Sequence, residues 1–223
     1  MPMDNAQRAS LTTEQNNRRK RCKLMRSEDE IKSLLARVCP EHLPFVKDEI
    51  MYTEREIKQR AKEMADEISA KYRNGILKPG EHLIVVGLLK GAIPFMNDLC
   101  MHLTVPTILD YIGVHSYEGT DTTNTVNFRS DMMIDPVGKH VLVVDDIIDT
   151  GGTLLWCKEH LMKKNPASIQ IACMLDKKER RKHAVEADYV GYVIPNKFVV
   201  GYGLDLNQAF RSIPFVAVYN KAK

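Results

Sequence analysis

At 223 residues and 25.4 kDa the chain suits one α/β domain, or a domain with a small appendage, and is long enough to bury a proper core. With 44% hydrophobic and 27% charged residues it is neither collagen-like nor disordered throughout. A net charge of +3 invites a nucleic-acid reading, but residues 1–26 hold seven basic groups against Asp4 and Glu14. That segment therefore carries +5 and the rest of the chain −2, which is no footprint for a polyphosphate backbone.

In chain order, residues 1–26 have few apolar anchors and read as a flexible basic N-terminal arm. Its Arg18–Arg21 run is either a solvated tail or a patch for nuclear import or an anionic surface. No apolar leader precedes it and no stretch approaches 18 uninterrupted apolar residues, so neither secretion nor membrane spanning is expected. The five cysteines (Cys22, Cys39, Cys100, Cys157, Cys173) are widely spaced, with no C-x-x-C pair, and read as reduced thiols of a cytoplasmic protein. Thr53 with Glu56 forms a capping box, and Ile57, Ala61, Met64, Ala65, Ile68 and Tyr72 follow at helical spacing until Gly75. From residue 82 short apolar runs alternate with helical segments, the pattern of a parallel sheet covered by helices. Strands are predicted at Leu83–Val86, Ile108–Val114, Val141–Val144 and Ile169–Leu175, and helices at Ile93–Leu103 and Thr153–Lys164. The polar stretch Glu118–Asn124 reads as a mobile loop of the lid type.

The most informative run is Val141–Thr153, V-L-V-V-D-D-I-I-D-T-G-G-T. A strand buried on both faces ends in three carboxylates before a Gly-Gly turn into a helix, and ligands of open α/β sheets bind beyond such strand ends. Gly151 and Gly152 allow close backbone approach to an anion, and Thr150 and Thr153 add hydroxyls. The helix N-terminus adds partial positive charge, so a phosphate is the natural guest. Asp145 and Asp146 point to a polyol or a metal nearby. Neither G-x-x-x-x-G-K-[ST] nor G-x-G-x-x-G is present, which removes the triphosphatase and dinucleotide loops. The plainer alternative, a helix capped by Asp149 and Thr150, leaves two carboxylates unexplained.

This run resembles the phosphoribosyl pyrophosphate signature of type I phosphoribosyltransferases. Leu89-Lys90-Gly91, Ser116-Tyr117, Leu175-Asp176-Lys177 and Ile194–Asp205 narrow the resemblance to the hypoxanthine-guanine enzymes, over residues 50–220. The resemblance implies the type I fold, a mostly parallel twisted sheet flanked by helices with a small hood formed by terminal segments. It implies a single domain over 27–223, with a core at about 50–178 and a hood at 179–223 plus part of the N-terminal segment. By the same resemblance Asp145 and Asp146 engage the ribose hydroxyls and hydrated Mg²⁺, Asp149 is the general base or acid at purine N7, and Thr150, Gly151, Gly152 and Thr153 hold the 5′-phosphate. Lys90, in a Leu-Lys peptide often cis in the family, contacts pyrophosphate with Gly91. Arg181 and Arg211 lie at or near it, and Ser116 and Tyr117 begin the closing loop. Lys177 donates to O6, Phe198 stacks on the base, Val199 reads its edge through the backbone, and Asp205 holds a second Mg²⁺.

Taken without that register, Lys177 belongs to a solvated basic run and Phe198 to a core. Asp145 stands where Glu is common, Gly152 where a larger residue is common, and Leu206 where Tyr is expected; His115 is also unusual. The activity implied is Mg²⁺-dependent transfer from phosphoribosyl pyrophosphate to a 6-oxopurine, with neither nucleic acid nor membrane as partner, by a homodimer or homotetramer. The alternatives are a xanthine-preferring enzyme of the same fold and a phosphoribosyl pyrophosphate sensor that binds nucleic acid through the basic arm.

Overall fold

The protein is seen in a computed structural model that describes residues 28–38, 50–116 and 126–220. Its centre is a six-stranded sheet built from β2 (Leu83–Leu89), β3 (Thr107–Ser116), β4 (Val126–Ser130), β5 (His140–Ile148), β6 (Ser168–Asp176) and β7 (Tyr189–Val193), in the order β4-β3-β2-β5-β6-β7. All neighbours are parallel except β3 and β4. The chain moves outward from β2 to β3 on one side and from β5 through β6 to β7 on the other. The strand order therefore reverses between β2 and β5, where their carboxyl ends leave a crevice.

The alternation of side chains explains why these segments are strands with both faces covered. On β2, Leu83 and Val85 face one apolar cluster while Ile84, Val86 and Leu88 face the other; on β5, Leu142 and Val144 oppose Val141 and Val143 in the same way. The first face is covered by α2 (Glu54–Arg73) and α3 (Ile93–Cys100), the second by α4 (Gly152–Met162). Helix α2 starts as predicted: Thr53 Oγ accepts from Glu56 N–H at 3.3 Å, and Glu56 Oε2 accepts from Thr53 N–H at 3.0 Å. Burying its six apolar positions, all at 0% exposure, contributes roughly 1.5–3 kcal/mol for each large side chain.

Several strands run longer than predicted, and the helices predicted at Ile93–Leu103 and Thr153–Lys164 end earlier. Helix α3 stops at Cys100, with the Met101 N–H turned back to Asn97. The last turn of α4 tightens into i→i+3 bonds, Lys164 to Leu161 and Asn165 to Met162, before Asn165 turns left-handed at φ 53°. Strands β4 and β7 were not predicted. A second sheet, also unpredicted, contains three antiparallel strands in the order β1 (Ile50–Tyr52), β9 (Val216–Val218), β8 (Val199–Val200). One face of it merges with the core beside α2, where Tyr52 stacks on Tyr192 of β7 at 3.9 Å. The other face carries α1 (Glu28–Val38) on Ile31 and Leu35, packed with Phe210, Ile213 and Phe215. Ile31, Leu34, Leu35 and Val38 have the spacing that would have revealed α1. The basic arm, Tyr117 and the Glu118–Asn124 loop lie outside the described residues. Among the described residues no helix is long and apolar enough to cross a membrane.

Candidate active site

Three chain segments meet at the carboxyl ends of β2 and β5. The first leaves β2 through a cis Leu89–Lys90 peptide into Gly91, the second is the acidic end of β5, and the third is the turn 201–211. A Cβ on Gly91 would stand 1.9 Å from Asp146 Oδ2, and one on Gly203 would stand 2.0 Å from the Gly91 carbonyl oxygen. Gly203 also holds φ at +96°, and a side chain at either position would force the packed segments to shift. Asp145 Oδ1 accepts from the Asp146 N–H at 3.0 Å, and Asp146 Oδ1 from the Ile147 N–H at 2.9 Å. Burial, and then the neighbouring Asp146 carboxylate, push the Asp145 carboxyl well above the usual range. Burial raises Asp146 too, against hydrogen bonds from Asp145 and the backbone and the charge of Arg211.

The phosphate-type loop lies directly beyond. Gly151 is the N-cap of α4, left-handed at φ 88°, and no side chain among the described residues caps the helix. The capping explanation for Asp149 and Thr150 is thereby removed, and the first N–H groups of α4 remain available to an anion. The loop is held from behind. The Thr150 carbonyl accepts from Lys182 and His183 N–H at 3.0 and 3.2 Å, and a Cβ on Gly151 would meet Val185 at 2.7 Å and Arg181 at 3.0 Å. Arg181 braces this backing, donating to the Val185 carbonyl at 2.6 Å and pairing with Asp176 at the end of β6. His183, which sequence reasoning did not single out, brings its Nε2 to within 3.3 Å of where a Gly152 Cβ would be. Thr153 is half-buried in the first turn of α4.

Asp149 stands between two cations, with Lys177 Nζ 3.5 Å from Oδ2 and Arg180 Nε 3.0 Å from Oδ1. Lys177 is 4% exposed, so it is not part of a solvated run; its N–H bonds the Ile148 carbonyl, which ties the end of β6 to the end of β5. Arg180, in the 3₁₀ turn Lys178–Arg180, was also missed, being one more basic residue in a basic run. Phe198 departs from the core reading in the opposite direction. It is 45% exposed, an apolar ring left at the surface in edge contact with Tyr219 at 6.0 Å. The segment leading to it is anchored by the Ile194 N–H on the Asp176 carbonyl, next to Lys177, and Val199 is buried in β8.

At the mouth Asp205 Oδ1 pairs with Arg211 Nη2 at 2.8 Å, and Arg211 Nη1 donates to the Gly203 carbonyl at 2.7 Å. Lys90 Nζ and Arg211 Nη2 both donate to Gln208 Oε1, a residue the sequence reading passed over. Ser116 is the last residue of β3. Among the described residues no cluster of three or more His, Cys, Asp or Glu side chains could hold a metal by itself. Mg²⁺ is usually bound by one or two carboxylates together with substrate phosphates and water, and the adjacent Asp145 and Asp146, as hard oxygen donors, fit that mode.

Residues 51–207 match the family model described as the phosphoribosyl transferase domain. The chain is 39% identical over 170 residues to the hypoxanthine-guanine phosphoribosyltransferase of Streptococcus pneumoniae, covering 76% of this chain and 91% of the relative. It is 41% identical over 169 residues to the hypoxanthine phosphoribosyltransferase of Salmonella typhimurium, covering 75% and 93%. Among solved structures it resembles the Trypanosoma cruzi hypoxanthine phosphoribosyltransferase in complex with the product IMP, with a TM-score of 0.74, 36% identity, and coverage of 79% and 96%.

Proposed function

The chain belongs to the phosphoribosyl transferase family, in its hypoxanthine-guanine branch, and from that premise we propose that it is a purine-salvage enzyme transferring the 5-phosphoribosyl group from phosphoribosyl pyrophosphate to hypoxanthine or guanine. The products are IMP or GMP and pyrophosphate. The observation that carries the assignment of residues is the uncapped N-terminus of α4 at Gly151, flanked by Asp145 and Asp146 on one side and by Asp149 beside the buried Lys177 on the other. An anion, a diol and a hydrogen-bonding base each meet the group type they need within one crevice.

In this reading the amides and hydroxyls of Thr150, Gly151, Gly152 and Thr153 bind the 5′-phosphate, while Arg181 keeps that loop in shape from behind. Asp145 and Asp146 accept from the ribose hydroxyls. Lys177 donates to O6, which selects 6-oxopurines over adenine, and Phe198 offers its exposed ring to the base with Val199 at its edge. Asp149, paired with Lys177 and Arg180, accepts the proton at N7 as the glycosidic bond forms. Lys90 and Arg211 receive the departing pyrophosphate, which is electrostatic stabilisation of developing negative charge. Magnesium, when bound, neutralises diphosphate charge; Asp145 and Asp146 would hold it, with Asp205 at a second site. Ser116 and Tyr117 would cover the site and exclude water. Residues 27–223 would act as one cytoplasmic unit of core and hood. A homodimer or homotetramer would cover the apolar side chains left exposed on one side of the sheet, Leu109 and Tyr111 of β3 with Ile93 of α3.

The test is a spectrophotometric assay offering hypoxanthine, guanine, xanthine and adenine, each with phosphoribosyl pyrophosphate and Mg²⁺. Turnover of the first two and none of adenine is expected. Preference for xanthine, or no turnover with any base, would refute the assignment.

A further inference from the structure

Two cations assigned above to the diphosphate converge on one neutral residue that the reaction does not use. Gln208 Oε1 accepts from Lys90 Nζ at 3.2 Å and from Arg211 Nη2 at 3.4 Å. Lys90 is 118 residues away in the chain, so the fold and not local sequence makes this contact. The backbone around Gln208 is devoted to it. Asn207, Gln208 and Phe210 all have positive φ, 51°, 69° and 73°, a region that non-glycine residues occupy at a cost and only where their surroundings enforce it. The enforcement is visible: the Gln208 N–H donates to Asp205 Oδ2 at 2.8 Å, and Leu206 and Ala209 close the turn as an antiparallel bridge. The result directs a surface glutamine onto two cations of the crevice mouth. The same turn holds Asp205 against Arg211.

A neutral amide oxygen is a weak acceptor for two cations. A phosphate oxygen forms shorter and stronger charge-assisted bonds with the same donors. We propose that Gln208 is a placeholder for a diphosphate oxygen. Its amide keeps Lys90, and with Asp205 and the Gly203 carbonyl also Arg211, in receiving geometry while the anion is absent, yields them when the diphosphate enters, and reclaims them as it leaves. Gln208 is thus a positioning residue that lowers diphosphate affinity slightly and speeds its release. This rests on the assignment of Lys90 and Arg211 to the diphosphate.

The experiment is a calorimetric titration of pyrophosphate with Mg²⁺ into the wild-type chain and into Gln208→Ala, Gln208→Asn and Gln208→Glu, with stopped-flow dissociation. Asparagine tolerates the left-handed backbone but is one methylene too short to reach both cations, so it separates loss of the contact from collapse of the turn. Gln208→Ala and Gln208→Asn are expected to bind pyrophosphate two- to tenfold tighter and to release it more slowly. Gln208→Glu, whose carboxylate would hold both cations, is expected to bind at least tenfold more weakly. Equal affinity in all four proteins, or weaker binding in both Gln208→Ala and Gln208→Asn, would overturn the placeholder role alone. A wild-type chain that binds no pyrophosphate would overturn the assignment of Lys90 and Arg211 and the placeholder with it.

Discussion

Replacing Gly91 by alanine perturbs the point where the ends of β2 and β5 touch. The added methyl would stand 1.9 Å from Asp146 Oδ2 and 2.6 Å from its Cγ, whereas side-chain contacts essentially never fall below 3.0 Å. The carboxylate or the 89–91 segment must therefore move by more than about 1 Å. Asp146 cannot swing freely, because its Oδ1 is engaged by the Ile147 N–H and the Gly91 carbonyl is packed against Gly203 on the other side. Such overpacking costs typically about 1–3 kcal/mol of stability. A displacement of about 1 Å of a substrate-positioning carboxylate costs on the order of 100-fold in rate, or about 2.7 kcal/mol of transition-state stabilisation. Denaturant melts and kcat/KM for hypoxanthine at saturating phosphoribosyl pyrophosphate measure the two effects separately. The expected result is a folded enzyme, modestly destabilised, with kcat/KM down by about two orders of magnitude. A Gly91→Ala enzyme with wild-type stability and turnover would refute the close-approach argument.

Three further outcomes follow from the same geometry. Asp149→Asn should fold normally and lose roughly 10²- to 10⁴-fold in kcat with little change in KM for phosphoribosyl pyrophosphate, read by steady-state kinetics; unchanged turnover would remove its proton-transfer role. Lys177→Met, similar in length but uncharged, should lower kcat/KM for hypoxanthine and guanine by roughly 10- to 100-fold, the worth of one charge-assisted hydrogen bond, and narrow the margin over adenine. Away from the site, burial alone would raise the Asp131 carboxyl, but hydrogen bonds from Lys164 and His160 and from the Met132 N–H overcome it and hold it below its ordinary value of 3.8. A depressed folded value means that the stabilisation is present above the ordinary carboxylate range and is lost as pH falls below it. At 31% exposure it is worth about 0.5 kcal/mol, so Asp131→Asn should lower stability by that much at pH 7 in urea melts and by progressively less as pH falls below the carboxylate range.

Elements whose signals are local were legible from the residues alone. The capping box at Thr53 and Glu56, the doubly buried strand before Asp145 and the Gly-Gly turn into a helix at Gly151 are patterns within a few neighbouring residues, and each formed where its own propensities directed. The family resemblance implied roles for Lys90, Lys177, Phe198 and Asp205 that no local rule supplies, since a lysine in a basic run and a phenylalanine in an apolar run look ordinary. Short strands such as β1, β4, β8 and β9 were illegible because two to five residues carry too little periodicity, and they exist only because a partner strand completes them.

Contacts between distant segments were set by the fold. Burial of Lys177 beside Asp149, the seating of Gly91 between Asp146 and Gly203, the turning of Arg181 behind the Gly151 turn and the grip of Gln208 on Lys90 all join residues by fold rather than by spacing. The physical reason is one of range. Propensity and periodicity act over a helical turn or a strand, whereas desolvation, close approach and charge pairing depend on which elements the core brings together.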